Sequence, residues 1–210
     1  TATITNLKLK DIAIMGSADV AMLALYNRGT ITDVTVYGVG FGGGSVGSYG
    51  GGLVFSNYGT IERCHVYGKV QAGRNVGMIA GINSEGAVIR DCYVSGHLLA
   101  TQYFAGGLVG TNSGLVENCG ADVDVRHGSY NYNATDVGGF VAQNSGIIRN
   151  CYSNGDIYTV AKHEGGGFCA NNLGRIESCL ATGDVYGQNY GLGGAFVNTN
   201  GHYSFYNGWS

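Results

Sequence analysis

The 210-residue chain contains no proline, few charged residues (12%) and no long hydrophobic run. No apolar segment approaches the ~18 residues that a membrane-spanning helix requires, so we expect no membrane insertion. Lys and Arg are scattered and the net charge is −3, so we expect no basic surface for nucleic acid. Hydrophobic residues make up 44% of the chain, which is ample for a core, so the low charge does not indicate disorder.

Familiar catalytic and metal-binding motifs are also missing. The chain has no Cys-x-x-Cys pair, no Cys/His zinc spacing, no Gly-x-Ser-x-Gly and no phosphate-binding loop. His163 and Glu164 precede a glycine run and lack the second histidine of a metalloprotease helix. We therefore predict no metal and no cofactor.

What the chain does contain is a repeated motif. "GGLVGTNSGLVENC" at 106–119 has close relatives at 51–64, 138–151 and 166–179. When the units are aligned on an Asn-x-Gly element, steps of 27 to 32 residues separate successive glycines, which indicates seven units with small insertions. The aligned glycines are Gly29, Gly59, Gly86, Gly114, Gly146, Gly174 and Gly201.

Within a unit the apolar residues alternate instead of following a helical period. Cys64, Val66 and Val70 fall on one side of a strand, whereas His65 and Lys69 fall on the other. Strands that recur every ~28 residues predict an all-β fold, a right-handed parallel β-helix (β-solenoid) of about seven coils. Its handedness follows from the general preference of parallel crossovers. We predict a lead-in or capping strand over 1–18 and one solenoid domain over 19–210.

Equivalent residues of successive coils are then expected to stack in columns. One apolar column runs from Ile31 to Ile176, and the column two residues before the cysteines alternates in charge from Glu62 to Glu177, which favours one register. The asparagines are interpreted as a structural ladder at a tight corner, where Asn tolerates and the following Gly supplies a left-handed backbone. A sugar-binding ladder is the alternative. The column comprises Asn27, Asn57, Asn83, Asn112, Asn144 and Asn172.

Most of the six cysteines occupy another inward column, which begins at Val34. A position that accepts Val or Cys uses Cys as a small hydrophobe, so we predict buried thiols without a disulfide, metal or redox role. This column comprises Cys64, Cys92, Cys119, Cys151 and Cys179, while Cys169 belongs to a different one.

The motif resembles the GLUG repeat of bacterial surface and secreted proteins, including filamentous-haemagglutinin-like adhesins and the non-catalytic region of immunoglobulin A-cleaving metallopeptidases. The resemblance covers about residues 19–201. It implies an extracellular or cell-surface β-solenoid and carries no catalytic residue that could be transferred to this chain.

One outward column offers candidate catalytic residues. Asp124, Asp156 and Asp184 follow Lys69 and His97, and stacked carboxylates ~4.8 Å apart lie near the separation used by retaining glycosidases. Mutual repulsion is expected to raise the pKa of one of them. A calcium site is an alternative, and a solvated strand face is the simpler interpretation, which we favour.

The variable connections are rich in aromatic residues, and insertions on one face of a solenoid often form its binding face. Tyrosine combines a flat contact area with a hydroxyl group, which suits sugars and protein surfaces. The ligand-binding candidates are Tyr103, Phe104, Tyr130, Tyr132, Tyr158, His163, Tyr186 and Tyr190.

These features predict a non-catalytic structural or binding module of a bacterial adhesin-like protein. Expected partners are a glycan, a host or neighbouring-cell protein, and flanking domains of a longer chain. A polysaccharide-degrading β-helix enzyme and a subunit that associates end to end into filaments are the alternatives.

Overall fold

A computed structural model describes residues 2–42, 49–128, 136–159, 164–187 and 192–201. In these ranges every regular element is a strand, so no helix there could cross a membrane. The strands are β1 (Thr3–Gly16), β2 (Val20–Ala21), β3 (Ala24–Asn27), β4 (Thr30–Gly42), β5 (Tyr49–Gly51), β6 (Val54–Asn57), β7 (Thr60–Glu62), β8 (His65–Ala72), β9 (Arg74–Gly77), β10 (Ala80–Asn83), β11 (Val88–Arg90), β12 (Tyr93–Ala100), β13 (Ala105–Gly106), β14 (Val109–Asn112), β15 (Leu115–Glu117), β16 (Gly120–His127), β17 (Asp136–Gly138), β18 (Val141–Asn144), β19 (Ile147–Arg149), β20 (Tyr152–Ser153), β21 (Ile157–Thr159), β22 (Glu164–Gly166), β23 (Cys169–Asn172), β24 (Arg175–Glu177), β25 (Leu180–Ala181), β26 (Val185–Gly187), β27 (Leu192–Gly194) and β28 (Val197–Asn200).

The strands form three parallel sheets that wrap around one core. The glycine sheet has seven strands in the order β2-β5-β9-β13-β17-β22-β27, and the asparagine sheet has seven in the order β28-β23-β18-β14-β10-β6-β3. The remaining fourteen strands, including β1 paired with β4, form the long-strand sheet. About six turns connect the seven strands of the asparagine sheet, so the all-β solenoid prediction is confirmed and the count of seven coils is approximate. The right-handed sense stays a prediction.

The core consists of stacked copies of the same side chain types. Ile61 pairs in register with Ile31 on one side and Ile89 on the other, and all three are buried. Further along the axis, the rings of Phe140 and Phe168 stack with their centroids 4.7 Å apart. Because a parallel in-register stack places like on like, each apolar position is buried by its own repeats.

The alternating charges predicted for the outer column are neighbours in the structure. Arg90 pairs in register with Glu62 and with Glu117, and its Nη2 lies 2.9 Å from Glu62 Oε2. Arg149 Nη2 lies 2.6 Å from Glu117 Oε2. The hydrogen bond from Arg90 lowers the pKa of the Glu62 carboxyl group. If a strand paired with the second coil along instead of the next one, like charges would face each other. This column therefore favours the observed register.

The asparagine column forms a continuous chain of amide hydrogen bonds. In each step the Nδ2 of one asparagine donates to the Oδ1 of the asparagine in the next coil, at 2.7–2.9 Å, from Asn27 through to Asn200. The same Oδ1 of Asn112 also accepts the backbone N–H of Gly114, which closes a tight turn. An amide carries both a donor and an acceptor, so it satisfies a buried column of identical groups.

The left-handed corner lies elsewhere than the sequence analysis places it. The asparagines of the ladder do not have positive φ, and of the aligned glycines only Gly86 does. Apart from Asp11 and Asn75, the left-handed residues other than glycine stand directly before the inward Cys column. They have φ of 50–56° and are Asn6, Asp33, Arg63, Asp91, Asn118, Asn150 and Ser178. Asn and Asp dominate this set because they tolerate the left-handed region best.

A glycine two residues after a ladder asparagine, such as Gly59 or Gly146, instead allows close approach between coils. A Cβ placed on Gly59 would overlap the carbonyl oxygen of Gly29, and one on Gly146 would overlap that of Gly114. The alignment of Gly86 with this column is wrong. Asn83 pairs with Asn57 and Val88 pairs with Thr60, so Ala87 occupies the stacked position and Gly86 lies in a two-residue insertion with φ of 76°.

Asn112→Ala should be strongly destabilising because it leaves the Nδ2 of Asn83 and the Oδ1 of Asn144 without their ladder partners. We expect a loss of about 2–4 kcal/mol in the free energy of unfolding, measured in urea by circular dichroism. Asn200→Ala, at the exposed end of the same ladder, is the matched control and should cost about 1 kcal/mol or less. Equal losses in the two variants would contradict a buried, cooperative ladder.

The exposed corner residue Ser178 has φ of 50°. Ser178→Val should destabilise the fold by about 1–2 kcal/mol, because a β-branched side chain is strained in the left-handed region. Ser178→Gly should be neutral or stabilising by up to about 1 kcal/mol, because glycine adopts this conformation without strain. Thermal unfolding of both variants measures the difference, and a more stable Val variant would contradict the assignment of the corner.

Candidate binding face

The predicted aspartate column lies on the outer surface of the long-strand sheet. Asp124 lies within β16, whereas Asp156 and Asp184 directly precede β21 and β26. The backbone N–H of Asp156 donates to Asp124 Oδ1 at 3.3 Å, and that of Asp184 donates to Asp156 Oδ1 at 3.0 Å. Asp124 Oδ2 lies 3.4 Å from His97 Nδ1. The first two carboxylates therefore tie each coil to the next.

Two tyrosines stand beside these aspartates, one coil apart. Tyr158 and Tyr186 pair in register, and their rings stack with centroids 5.0 Å apart and 13° between planes. The hydroxyl of Tyr158 donates to Asp156 Oδ2 at 3.3 Å, and that of Tyr186 donates to Asp184 Oδ2 at 3.0 Å. Both tyrosines lie in strands, so their assignment to the variable connections is wrong.

The Tyr158 ring is covered on both faces. The Arg126 guanidinium lies 4.4 Å from its centroid, and the Tyr186 ring stacks on it. Burial and then the nearby Asp156 raise the pKa of Tyr158, and the hydrogen bond to Asp184 raises that of Tyr186. Both hydroxyls therefore stay protonated as donors at neutral pH. A ligand meets ring edges and polar groups at Tyr158, not an open aromatic face.

Tyr103 and Phe104 form a separate aromatic pair in the connection between β12 and β13. Their ring centroids are 6.2 Å apart, and the Arg74 guanidinium lies 4.4 Å from the Tyr103 ring. Arg74 also donates to the side chain of Gln102 at 3.3 Å. This connection follows the long-strand sheet, so the pair lies at a corner of the coil rather than on the flat face.

The other candidates lie outside the described residues. They are Tyr130, Tyr132, His163 and Tyr190.

The sequence analysis missed a second aromatic cluster on the same sheet. Tyr37 and Tyr67 stack with centroids 4.9 Å apart, and Tyr93 lies 6.0 Å from Tyr67. Lys8 places its Nζ 5.4 Å from the Tyr37 ring. The signal was present, because aromatic residues recur at outward positions of the first three long strands, as Tyr37, Tyr67 and Tyr93. A search confined to the connections could not find it.

The cysteine column is buried and its thiols are free, as are all six cysteines of the chain. The backbone N–H of Cys64 points to Cys92 Sγ at 3.4 Å, and that of Cys92 points to Cys119 Sγ at the same distance. Burial raises the pKa of Cys92 and Cys119, which makes them poor nucleophiles. Cys151 and Cys179 complete the column, and the hydrogen bond with Cys151 lowers the pKa of Cys179.

All three of Cys92, Cys119 and Cys179 are buried, so native protein treated with iodoacetamide at pH 8 should react slowly, and first at Cys179, because the hydrogen bond with Cys151 lowers its pKa. Cys92 and Cys119 should be alkylated only after denaturation, because their raised pKa also disfavours the thiolate. Peptide mass spectrometry at increasing times measures the order. Early alkylation of Cys92 in the folded protein would contradict it.

The polar groups of this face are engaged mainly with one another. Among the residues that the structure describes, no group of three or more His, Cys, Asp or Glu side chains is arranged to hold a metal ion. Asp156 uses both oxygens in hydrogen bonds within the face, to Asp184 N–H and to the Tyr158 hydroxyl. A depression of about 280 Å³ beside Asp184 is lined otherwise by Gly183, Val185 and small residues. The arrangement is a preorganised polar surface.

The fold defines the class of protein, a structural repeat module built as a parallel β-solenoid. A family model, the GLUG motif, matches residues 133–158, a stretch that includes Asn144 of the ladder and Cys151 of the thiol column. The match and the solenoid together agree with a GLUG-repeat β-helix. No curated protein matches the chain. The GLUG β-solenoid suggests a structural, non-catalytic module.

Proposed function

We propose that the chain is a non-catalytic binding module of a bacterial cell-surface or secreted, adhesin-like protein, and that it presents the outer face of its long-strand sheet to a glycan or to a protein of a host or neighbouring cell. The observation that carries this proposal is the Tyr158–Tyr186 stack with its two hydrogen-bonded aspartates. Aromatic and polar groups held together at one exposed place are typical of recognition surfaces.

Rigidity supports this proposal. Tyr158 and Tyr186 project from strands that pair with each other in register, and Asp156 accepts the backbone N–H of Asp184. A surface that is already ordered loses less conformational entropy when a ligand binds. A rod of stacked coils also holds its outer face at a constant geometry, which suits display at a distance from a cell.

The extracellular or cell-surface location is part of the proposal. The GLUG motif supports it through the resemblance to repeats of surface and secreted proteins. The buried cysteines are compatible with an oxidising environment, because a dry core shields their thiols from oxidants.

The test is a binding screen of the chain on immobilised glycans and purified extracellular proteins, with Tyr158→Ala/Tyr186→Ala as the variant. We expect the double variant to lose about tenfold or more in affinity, because a central tyrosine is commonly worth more than 1.4 kcal/mol at an interface. Tyr58→Ala is the matched control, since Tyr58 is exposed beside the asparagine sheet and contacts Arg28. Thermal unfolding checks that both variants remain folded.

Equal retention of a ligand by the wild type and by the double variant would overturn the assignment of this face. Absence of binding to every glycan and protein would leave a spacer as the better account of the module. A change in affinity for Tyr58→Ala as large as that for the double variant would show that the effect is not local.

A further inference from the structure

We propose that the same outer face contains a site for an anionic saccharide, a sugar bearing a carboxylate or a sulfate ester, at a depression lined by Lys69, His97, Leu99 and Arg126. This inference rests on the proposed function and names the ligand class of its face. The depression has a volume of about 410 Å³.

The register of the strands places these side chains as neighbours. Lys69 pairs with His97, and Leu99 pairs with Arg126, so the group spans three successive coils. Side chains two residues apart on a strand face the same way, which puts His97 and Leu99 on one surface. Two coil steps span about 9–10 Å, which suits one or two pyranose rings.

The depression is positively charged through Lys69 and Arg126, whereas the whole chain has a net charge of −3. Asp124, which pairs in register with His97, is already engaged, since its Oδ1 accepts the Asp156 N–H and its Oδ2 lies beside His97. Lys69 and Arg126 are both exposed, and within the described ranges neither has a carboxylate at ion-pair distance. Two positive charges are therefore available to an external anion.

Both cations are held in place by aromatic rings. Lys69 Nζ lies 5.7 Å from the Phe41 ring centroid, and the Arg126 guanidinium lies 4.4 Å from that of Tyr158. These contacts restrict the two side chains without neutralising them. An arginine fixed in this way retains N–H groups that match the two oxygens of a carboxylate or of a sulfate.

The apolar element favours a saccharide over a simple inorganic anion. Leu99 lies two residues from His97 on the same strand and pairs with Arg126 of the next coil. It is half-buried, so it offers a small apolar floor to the depression. A pyranose ring has apolar C–H faces and polar edges, and an acidic sugar adds the charge that Lys69 and Arg126 would pair. Sulfate alone would use the charges and leave the floor uncovered.

The experiment is isothermal titration calorimetry of the chain with four probes of matched length or charge. These are a galacturonic acid oligomer, a sulfated galactose oligomer, a neutral galactose oligomer and a glutamate peptide, with inorganic sulfate as a fifth titrant. We expect the acidic sugars to bind about tenfold or more tightly than the neutral sugar, and the preference to weaken as salt rises. The two acidic sugars separate a carboxylate ligand from a sulfate ligand.

Lys69→Gln/Arg126→Gln should lower the affinity for the acidic sugar about tenfold or more, because both pairing charges are removed. Arg28→Gln is the matched control, since Arg28 is an exposed arginine on a tyrosine ring at another surface, and it should change the affinity less than about twofold. Thermal unfolding shows whether each variant is folded.

Equal binding of acidic and neutral sugars, or no effect of the double variant, would overturn the anionic site. If Tyr158→Ala/Tyr186→Ala still abolished sugar binding in that case, the proposed function would stand and only the anionic site would be lost. Equal or tighter binding of the glutamate peptide or of sulfate would overturn the saccharide specificity. Absence of saccharide binding would also overturn this inference, whereas the proposed function would then be decided by the screen of extracellular proteins.

Discussion

In-register stacking of the coils is the constraint on which the rest of this structure depends. Strand pairing is parallel throughout the described sheets, so each side chain lies beside the equivalent residue of the coils before and after it. A buried polar group must then be satisfied by its own copy. Asparagine meets this condition because its amide both donates and accepts, whereas a buried column of aspartates would place like charges together. The same rule explains why apolar positions contain stacked isoleucines or phenylalanines, and why the exposed charged column alternates in sign.

Stacking also limits the backbone. At the column that includes Gly59 and Gly146, the carbonyl oxygen of the preceding coil occupies the space that a Cβ would need. At the corner before each cysteine the limit is conformational, since the backbone turns through the left-handed region. These are two different requirements at two corners of one coil. Glycine meets the first by its size, and Asn or Asp meets the second by its tolerance of positive φ.

Much of the fold could be predicted from the sequence, because each column of equivalent residues recurs in successive repeats. The repeat length, the Ile61 column and the Glu62–Arg90 alternation all follow from alignment alone.

The left-handed corner was misplaced because Asn closely followed by Gly is a general turn signal. The true corner carries a weaker signal, since its run of Asp and Asn residues, such as Asp91 and Asn118, also contains Arg63 and Ser178. Gly86 was misaligned because two inserted residues follow Asn83 and place Ala87 in the stacked position. Tyr158 was placed in a connection because β21 is only three residues long. Distances within the face, such as Arg126 on the Tyr158 ring, depend on side-chain conformation and not on register alone.

The positions that stacking leaves unconstrained are the outward ones, and the proposed binding face is built from them. Inward columns are constrained by burial, and corners are constrained by backbone conformation or close approach, but an outward position on the long-strand sheet accepts any side chain that tolerates its neighbours. The column through Lys69, His97 and Asp124 changes from positive to negative within three coils, and the adjacent column changes from Leu99 to Arg126 to Tyr158. Such changes add nothing to the core. They bring charge, an apolar surface and aromatic rings together locally on a regular rod, and recognition by a repeat protein requires a local difference of this kind.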